Sequence, residues 1–415
     1  MTSTKPSLAL LREMSDEAVL RALMDRPRLT RAELAVLTGL SKPTVGDAVR
    51  RLEAADLVRD TGERTTGRGG VGSYYALAAD VGLALAVSIA PQGVAVEVLN
   101  AAGRVTGRVV EPVRRPARPE AVTAVLSQAA RQALGGRRAR VAAVSAADPV
   151  DKATGELVHL PDAPFLLGAM SPAATLAPLI DGPVVVDNDV NWAARAELAA
   201  RAGVDRAGSD QVGAPGDFVY LYLGEGLGCA VVADGQVRRG HRGLAGEIAH
   251  VQVPGPGGQA MPLIELFGRL GLRHAGSTAI DVARLLAALG TDPGGTAPGG
   301  TAPGGTAPGG TAPGGTAPGG TAPGSGNGAA LARTLAAAVS GVLDAAVAFT
   351  DPAFAVIGGP WGSAAPFAAE LVAALLARPR GIRLAQPLVH DDPSLAGARA
   401  AAVSRLRDDL VARSR

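Results

Sequence analysis

The sequence contains a single cysteine, Cys229. One cysteine excludes an intrachain disulfide framework and any zinc site built from several cysteines. The chain also lacks a run of about 18 uncharged apolar residues, so we expect no membrane span. Its first residues include acids and no long apolar stretch, which argues against a signal peptide and predicts a cytoplasmic protein.

The sequence also lacks a large excess of charge of either sign, since its formal net charge is +2. So small a charge does not by itself require a nucleic-acid partner. Hydrophobic residues, by contrast, are plentiful at 47% of the 415 residues. That proportion is enough for a large core, which we expect to be divided over two or three domains.

Apolar strand-like runs alternate with alanine-rich helical stretches from about residue 79 onward. This alternation predicts layers of helices on sheets, the α/β class. The strand-like runs include Val94–Leu99, Val141–Ala146, Pro183–Asp189, Phe218–Gly224 and Phe354–Gly359.

A repeat interrupts this pattern, because Gly294–Pro323 consists of six copies of GGTAP. Such a segment has no hydrophobic face with which to offset the entropy of ordering, so it predicts a disordered insert over residues 292–327. A domain boundary is one interpretation. We favour an expanded loop inside a domain, because the strand and helix that follow still need the earlier layers to pack on.

Residues 1–78 have the pattern of a DNA-binding head. Thr30 can cap the helix RAELAVLT, Gly39 can end it, and Ser41 can cap a following helix that has Pro43 in its first turn. Two helices joined by a short glycine turn form a helix-turn-helix, whose second helix enters the major groove of DNA. A small helical protein-interaction module is the alternative.

The segment after these helices predicts the wing of a winged helix-turn-helix. Leu57–Leu77 reads as strand, glycine-rich turn and strand, and basic residues near its tip could contact the DNA backbone or the minor groove. Asp47, on the recognition helix, is unfavourable near phosphates. The residues expected to contact DNA are Ser41, Lys42, Thr44, Arg50, Arg51, Arg64 and Arg68.

Six stretches of the chain form a recognisable set of motifs. They are LSKPTVGDAVRRLEAADLV, ADPVDKATGELVHLPDAPFLLG, VVVDNDVNWAARAEL, YLYLGEGLGCAVVADGQVRRGHRGLAGEIAHVQV, VIGGPWG and PLVHDDPSLAGARAAAV. Together they resemble the ROK family of bacterial sugar-responsive regulators and sugar kinases. They cover nearly the whole sequence outside the GGTAP insert, and as a set they are specific although each glycine loop alone is weak evidence.

The resemblance implies a two-lobed, actin-like (ribonuclease H-like) fold that holds a sugar in the cleft. We expect residues 79–183 to form the small lobe, completed by a C-terminal helix over residues 394–415. Residues 184–393 are then expected to form the large lobe, which carries the insert.

The resemblance also implies which residues contact the hydroxyl groups of the sugar. Carboxylates accept hydroxyl protons, and an amide both donates and accepts, so the residue types suit a polyol. Glu247 and His250 are three apart, and a helical turn would direct both the same way. The implied set is Asn188, Asp189, Glu247, His250 and Glu265, and Asp189 matches the catalytic base of the kinases. Ordinary structural roles remain open for these residues, above all for His250.

Two family features are missing from the sequence. Zinc-bearing members have a cysteine cluster after the histidine, but this chain has VPGPGGQAMPLIELFG there. Since structural zinc needs about four ligands, we expect no metal. In the place of the first phosphate loop, D-x-G-x-T, the acid is replaced by Ser88, and Ala90 and Gln92 stand near the glycine and threonine. We interpret GEGLG at Gly224–Gly228 as a turn between strands, so we expect neither ATP nor another cofactor.

The sequence therefore predicts a transcriptional regulator of the repressor type, without enzymatic activity, whose body senses a sugar or sugar derivative. Its expected partners are operator DNA and a second copy of the chain, as a homodimer or dimer of dimers. Two alternatives remain: a sugar kinase with an appended DNA-binding head, and a DNA-binding dimer that responds to no ligand.

Overall fold

The computed structural model describes residues 7–65, 72–160, 165–166, 168–206, 216–291 and 325–414. Its N-terminal part is a three-helix domain with a three-stranded sheet in the order β1-β3-β2. The elements of this head are α1 (Leu8–Asp25), β1 (Leu29–Thr30), α2 (Arg31–Thr38), α3 (Lys42–Ala54), β2 (Val58–Arg64) and β3 (Ser73–Leu77).

Capping side chains fix where the two helices of the helix-turn-helix begin. At the start of α2, the N–H of Glu33 donates to Thr30 Oγ1 at 3.2 Å, and the N–H of Thr30 donates to Glu33 Oε2 at 2.8 Å. This reciprocal pair is a capping box. Ser41 caps α3 by accepting from the N–H of Thr44 at 3.3 Å. Both helix starts lie where the sequence predicts them.

The chain divides into two compact units, and the head belongs to the first. That unit comprises residues 1–210, 239–245 and 388–415, and the second comprises 211–238 and 246–387. Beyond the head, the elements of the first unit are β4 (Leu83–Ala90), β5 (Gly93–Asn100), β6 (Val105–Glu111), α4 (Pro119–Leu134), β7 (Val141–Ala146), α5 (Pro172–Leu176), β8 (Val184–Asn188), α6 (Asp189–Arg206) and, from the end of the chain, α11 (Pro393–Arg413).

These strands form a five-stranded sheet in the order β6-β5-β4-β7-β8. The first three strands are antiparallel neighbours, whereas β7 and β8 run parallel to β4. Helix α11 packs against this sheet and against α6. On its other side, the apolar residues of α11 share one continuous core with those of α1 and α3 in the head. Head and body of the first unit are therefore joined by packing as well as by the chain.

The second unit has a five-stranded sheet of the same design, in the order β11-β10-β9-β14-β15. Again three antiparallel strands are followed by two parallel ones. Its elements are β9 (Phe218–Leu223), β10 (Leu227–Ala233), β11 (Gln236–Val237), β12 (Gln252–Pro254), β13 (Ala260–Pro262), α7 (Leu263–Arg269), α8 (Val282–Ala288), α9 (Ser325–Thr350), β14 (Phe354–Gly358), α10 (Ala365–Leu376) and β15 (Leu384–Ala385).

Two boundaries predicted from the sequence differ in the structure. The lobe boundary predicted at residue 184 is wrong, because β8 is hydrogen bonded to β7 and α6 packs on α11, so both belong to the first unit. The insert predicted to end at residue 327 ends earlier, because α9 begins at Ser325. Residues 292–324, with the GGTAP repeats, lie outside the described residues.

Helix α9 is the one described helix that is long and apolar enough to cross a membrane, over Asn327–Thr350. Inside the second unit, however, it packs against α10 and β12. Leu335, Val339 and Leu343 on this helix are at most 1% exposed. These contacts are those of a core helix.

The contact between α6 and α11 generates a prediction about stability. A Cβ placed on Gly397 of α11 would lie 2.0 Å from the carbonyl oxygen of Trp192 in α6, so the two helices meet only because residue 397 has no side chain. We expect Gly397→Ala to lower the free energy of unfolding by about 1–3 kcal/mol through overpacking, measured by urea denaturation. Gly46→Ala is the matched control, since a Cβ at this helical glycine meets nothing within 4 Å; equal effects of the two would contradict the close approach.

Candidate functional site

The exposed start of α3 is the first candidate site. The hydroxyl groups of Ser41 and Thr44 lie 2.8 Å apart, and the cap at Ser41 orients both. Lys42 is exposed beside them. The backbone N–H groups of a helix N-terminus and these short polar side chains can donate to phosphate oxygens or base edges. The structure therefore brings three of the predicted DNA-contacting residues together on one surface.

Arg50 lies one turn and a half further along α3 and is exposed. Its guanidinium forms an ion pair with Asp47 and also donates from Nε to the carbonyl of Gly46 at 3.4 Å. Asp47 thus neutralises part of the charge that Arg50 could offer to a DNA phosphate. A surface pair of this kind contributes little to stability, so it can be exchanged for a phosphate contact.

Arg51 has a different role from the one predicted. Its guanidinium donates to the carboxylate of Asp16 on α1, with distances of 2.8 Å from Nε and 2.6 Å from Nη2. The side chain of Asp16 is only 6% exposed, so this pair is inside the head. Arg51 holds the recognition helix against α1, and we remove it from the set of DNA-contacting residues.

The wing is described only at its two strands. Arg64, at the end of β2, forms an ion pair with Asp60 at 3.0 Å and is exposed. Glu63, its neighbour, pairs with Arg28. Arg68 lies outside the described residues. The predicted wing contacts of Arg64 and Arg68 stay predictions.

The second candidate site is at the carboxyl ends of the parallel strands β7 and β8. The register pairs Ser145 with Asp187 and Ala146 with Asn188, so polar side chains meet at this edge of the sheet. The amide Nδ2 of Asn188 lies 3.5 Å from the carbonyl oxygens of Ala146 and Asp148. Its Oδ1 accepts from the N–H of Val190 at 3.0 Å, which caps α6. Asn188 is therefore fixed by both elements.

Asp189 is the first residue of α6, and the pKa of its carboxyl is raised. Burial raises the pKa of this carboxyl to about 7, and the nearby charge of Asp392 adds to the rise. The N–H of Val190, which donates to Asp189 Oδ1 at 2.7 Å, acts in the opposite direction and lowers the pKa. Near neutral pH the carboxyl is thus divided between its protonated and ionised forms. Such a group can accept or donate a proton to a hydroxyl.

A buried charge network lies directly beneath this pair, and the sequence analysis missed it. Asp187 is 2% exposed and accepts from Asn191 Nδ2 at 2.9 Å. Its two oxygens also face Arg195 at 2.7 Å and Arg239 at 3.0 Å. The network ties β8, α6 and the segment 239–245 together, so it positions the neighbouring Asn188. The signal in the sequence was an acid that ends a strand, but its arginine partners are far away along the chain.

Glu247 and His250 lie in the second unit, Glu247 directly after one turn and His250 in the next turn, and neither is on a helix. The prediction that a helical turn directs Glu247 and His250 the same way is therefore wrong. Both side chains are exposed. Gly246 fixes where the turns begin: its carbonyl accepts from the N–H of Cys229 at 2.9 Å, and a Cβ there would lie 1.7 Å from the carbonyl oxygen of Cys229. Only glycine can bring the chain this close to β10.

Glu265 is an exposed residue in the first turn of α7. The segment that precedes it, where zinc-bearing relatives have cysteines, forms the hairpin of β12 and β13. Val253 and Met261 of this hairpin are buried in the core of the second unit. Apolar packing holds this segment, and residues 252–262 do not fit a zinc site because they include no cysteine, histidine, aspartate or glutamate.

The place of the first phosphate loop is a two-residue turn. Residues Pro91 and Gln92 alone connect β4 to β5, whose last pair is Ala90 and Gly93. Pro91 has no N–H, and its carbonyl accepts from Arg115 Nε at 2.9 Å. Ser88 is 7% exposed, between Ala95 and Ser145 of the neighbouring strands. These residues do not fit a magnesium–nucleotide, since no acid and no row of N–H groups is available.

GEGLG is the turn between β9 and β10, as the sequence predicts. The N–H of Gly224 donates to the carbonyl of Gly226 at 3.1 Å. The carbonyl of Gly224 accepts from the indole N–H of Trp361 at 3.1 Å. Trp361, from the GGPWG loop, is fully buried between Phe267 and Phe367. The two loops that correspond to nucleotide loops in kinases are thus bound to each other.

The acidity of Asp189 generates a prediction about pH. Its pKa is about 7 in the folded chain and near 3.8 when unfolded. Between these values the folded state holds more protons, so stability falls as pH rises, by at most about 1.4 kcal/mol per pH unit. We expect Asp189→Asn to remove this loss, so that the variant gains on the wild type from pH 5 to pH 8 in urea denaturation. The exposed Asp80→Asn controls for the charge change, and a constant difference between wild type and Asp189→Asn over this range would contradict the assignment.

The two neighbouring arginines of α3 generate a second prediction. Arg51→Ala leaves Asp16 buried without its cation, so we expect a loss of about 1–3 kcal/mol in the free energy of unfolding. Arg50→Ala, one residue away, breaks only a surface pair and should change stability by less than about 0.5 kcal/mol. Thermal denaturation of the two variants measures the contrast. Equal losses would show that the Asp16 pair does not hold α3.

Comparison with known proteins gives one family match in the head and another in the body. Residues 15–59 match a winged helix-turn-helix DNA-binding family, and residues 93–263 match the ROK family. A glucokinase from Halalkalibacterium halodurans is 35% identical over 103 residues, which are 25% of this chain and 27% of that protein. A glucokinase from Streptomyces coelicolor is 27% identical over 173 residues, 42% of this chain and 50% of the relative. The chain thus spans half or less of the length of these glucokinases.

Solved structures extend the comparison over the whole chain. A crystal structure described as a ROK family transcriptional regulator, homologous to the E. coli MLC protein, aligns with a TM-score of 0.60 and 15% identity. The alignment covers 97% of this chain and 98% of that one. It confirms the predicted fold class, a winged helix-turn-helix joined to the actin-like fold of ROK proteins. The chain therefore has the fold of a winged helix-turn-helix domain followed by an actin-like body, and residues 93–263 of this body match the ROK family.

Proposed function

We propose that the protein is a sugar-responsive, DNA-binding transcriptional regulator of the repressor type, without kinase activity. The proposal rests on two features that occur together in the first unit. One is a complete helix-turn-helix with an exposed recognition helix, and the other is a ROK body whose first phosphate loop is the turn at Pro91 and Gln92. Such a body retains a scaffold for a sugar but not the groups that position a phosphoryl donor.

In this proposal the start of α3 enters the major groove. Ser41, Lys42 and Thr44 contact base edges and the nearest phosphates, and Arg50 contacts a phosphate after it releases Asp47. Arg64 and Arg68 of the wing contact the backbone or the minor groove. Arg51 stays on Asp16 and has no part in recognition.

We further propose that Asn188, Asp189, Glu247, His250 and Glu265 bind the hydroxyl groups of a sugar. Two features support this assignment. Asn188 is held in place by both β7 and α6, which gives a preorganised amide. Asp189, with a pKa of about 7, can accept a hydroxyl proton or donate one.

The mechanism that we infer is linkage between sugar and DNA. Asp189 begins α6, α6 packs on α11, and α11 shares a core with the head, so a ligand at Asp189 can bias the position of the head. In a homodimer in the cytoplasm, two heads must match half-sites about 34–36 Å apart or a multiple of that distance. A typical coupling of about 1–3 kcal/mol would change DNA affinity roughly 5–150-fold.

A sugar kinase with an appended head is the second candidate, and Asp189 is the observation that favours it. A carboxyl with a pKa of about 7 suits a base that deprotonates an attacking hydroxyl. A coupled assay for ADP release over a panel of hexoses with ATP and magnesium distinguishes the candidates. Turnover that is lost in Asp189→Asn would support the kinase and refute the proposal.

The decisive experiment selects bound duplexes from a genomic DNA pool, with and without a panel of monosaccharides and their phosphates. The proposal requires that one defined sequence is enriched and that at least one sugar changes its recovery. Thermal denaturation with the same panel tests the alternative in which the protein is a DNA-binding dimer that responds to no ligand. If a sequence is enriched but no sugar alters its recovery or the melting temperature, the sensor role is refuted and the DNA-binding role remains.

The ion pair on the recognition helix generates a prediction with opposite signs for its two members. Arg50→Ala should weaken binding to all duplexes alike and reduce the slope of log affinity against log salt by about 1, because one phosphate contact is lost. Asp47→Asn should strengthen binding, since it frees Arg50 and removes a negative charge near the backbone. Fluorescence anisotropy at several salt concentrations measures both; a salt slope unchanged in Arg50→Ala would show that α3 does not dock in this way.

A further inference from the structure

A groove on the first unit lies between helix α1 of the head and helix α11 of the body. Its volume is about 400 Å³, which is enough for a small metabolite. Three arginines line it, Arg21 from α1 and Arg399 and Arg407 from α11, together with Ser404. The apolar residues Val403 and Ala400 form one wall, and no residue of the lining is acidic. The groove therefore presents donors and hydrocarbon to whatever enters it.

Buried and backbone acceptors hold two of these arginines in place. Glu97 of β5, 2% exposed, accepts from Arg399 Nε at 2.7 Å and from Nη2 at 3.0 Å. Arg407 donates from Nε to the carbonyl of Ala101 at 2.8 Å and from Nη2 to the carbonyl of Met24 at 3.2 Å. Guanidinium groups fixed in this way lose little entropy when they bind a further acceptor.

Several donors at the groove remain available. Arg21 donates from Nε to Glu17 and from Nη2 to Asp408, at 2.8 and 3.4 Å. Within the part of the chain that the structure describes, the hydrogen bonds of Arg21 and Arg399 to acidic side chains come from Nε and Nη2, and Nη1 of each makes none. Ser404, which lines the groove, is exposed. Each arginine already has an acidic neighbour, so recognition would depend on directed N–H groups and less on net charge.

We propose that this groove binds a small phosphate ester. Its phosphate accepts from Nη1 of Arg21, Nη1 of Arg399 and the hydroxyl of Ser404, and its carbon skeleton packs against Val403 and Ala400. Donors that line one groove from two helices suit an oxyanion with three terminal oxygens better than the two oxygens of one carboxylate. Because Arg21 belongs to the head and Arg399 to the body, the bound ester ties α1 to α11. The site does not depend on the sugar-binding residues.

The test measures binding of glycerol 3-phosphate to the full chain by isothermal titration calorimetry in chloride buffer at constant ionic strength. We expect one saturable site. Arg21→Gln should weaken binding at least ten-fold and Ser404→Ala a few-fold, and both changes are on exposed side chains. Arg405→Gln is the matched control, since this exposed arginine on α11 does not line the groove and its variant should bind as the wild type does.

Further arms separate this site from the sugar site and from unspecific anion binding. Asp189→Asn should leave the affinity for glycerol 3-phosphate unchanged, and citrate should bind at least ten-fold more weakly. The proposal is overturned if no saturable binding is found, if Arg21→Gln and Arg405→Gln bind equally well, or if citrate matches the phosphate ester. None of these results affects the proposed response to sugars, which the carbohydrate panel tests separately.

Discussion

The packing of α11 is the constraint on which the first unit depends. The buried side chains of this helix belong to one core that includes residues of the sheet, of α6 and of the head. They include Leu395, Ala398, Ala402, Leu406 and Leu410. Arg407 adds polar contacts to Met24 and Ala101 at the junction. Helix α11 therefore contributes to the contact between head and body through α1.

The same helix offers a path of packed contacts by which ligand binding in the body can be coupled to the position of the head. Asp189 opens α6, Gly397 lets α11 approach α6 closely, and α1 in turn holds the recognition helix through Asp16 and Arg51. Gly397 and Asp16 are buried, whereas Asp189 and Arg51 are partly exposed, and packed interfaces move as units. A ligand that stabilises one arrangement of α6 can therefore change the position of α3 without contact between ligand and DNA.

The two loops that resemble phosphate loops of the kinases are closed turns in this structure. In the first unit a proline turn closes the hairpin at Pro91, and in the second unit Trp361 fills the space beside Gly224. Both changes replace open glycine loops with packed or hydrogen-bonded structure. What a glycine loop offers to a nucleotide is unoccupied N–H groups, and here these groups are absent or already engaged.

The sequence by itself determined the local structure. Caps at Thr30 and Ser41, the turn between the two helices, the α/β alternation and the loss of the first phosphate loop depend on residues that are close together in the chain, so short-range rules predict them. The C-terminal helix and the turn at GEGLG followed from the same patterns together with the family resemblance.

Only the tertiary structure decided which polar groups are already used. The sequence predicts that Arg51 contacts a phosphate, but in the structure its guanidinium donates to Asp16, which is 35 positions away in the chain. The boundary near residue 184 failed because β8 pairs with a distant strand, and the partners of Asp187 come from α6 and from residue 239. Ion pairs and strand pairing join residues far apart in sequence, and their energies depend on burial and distance, which no local pattern contains.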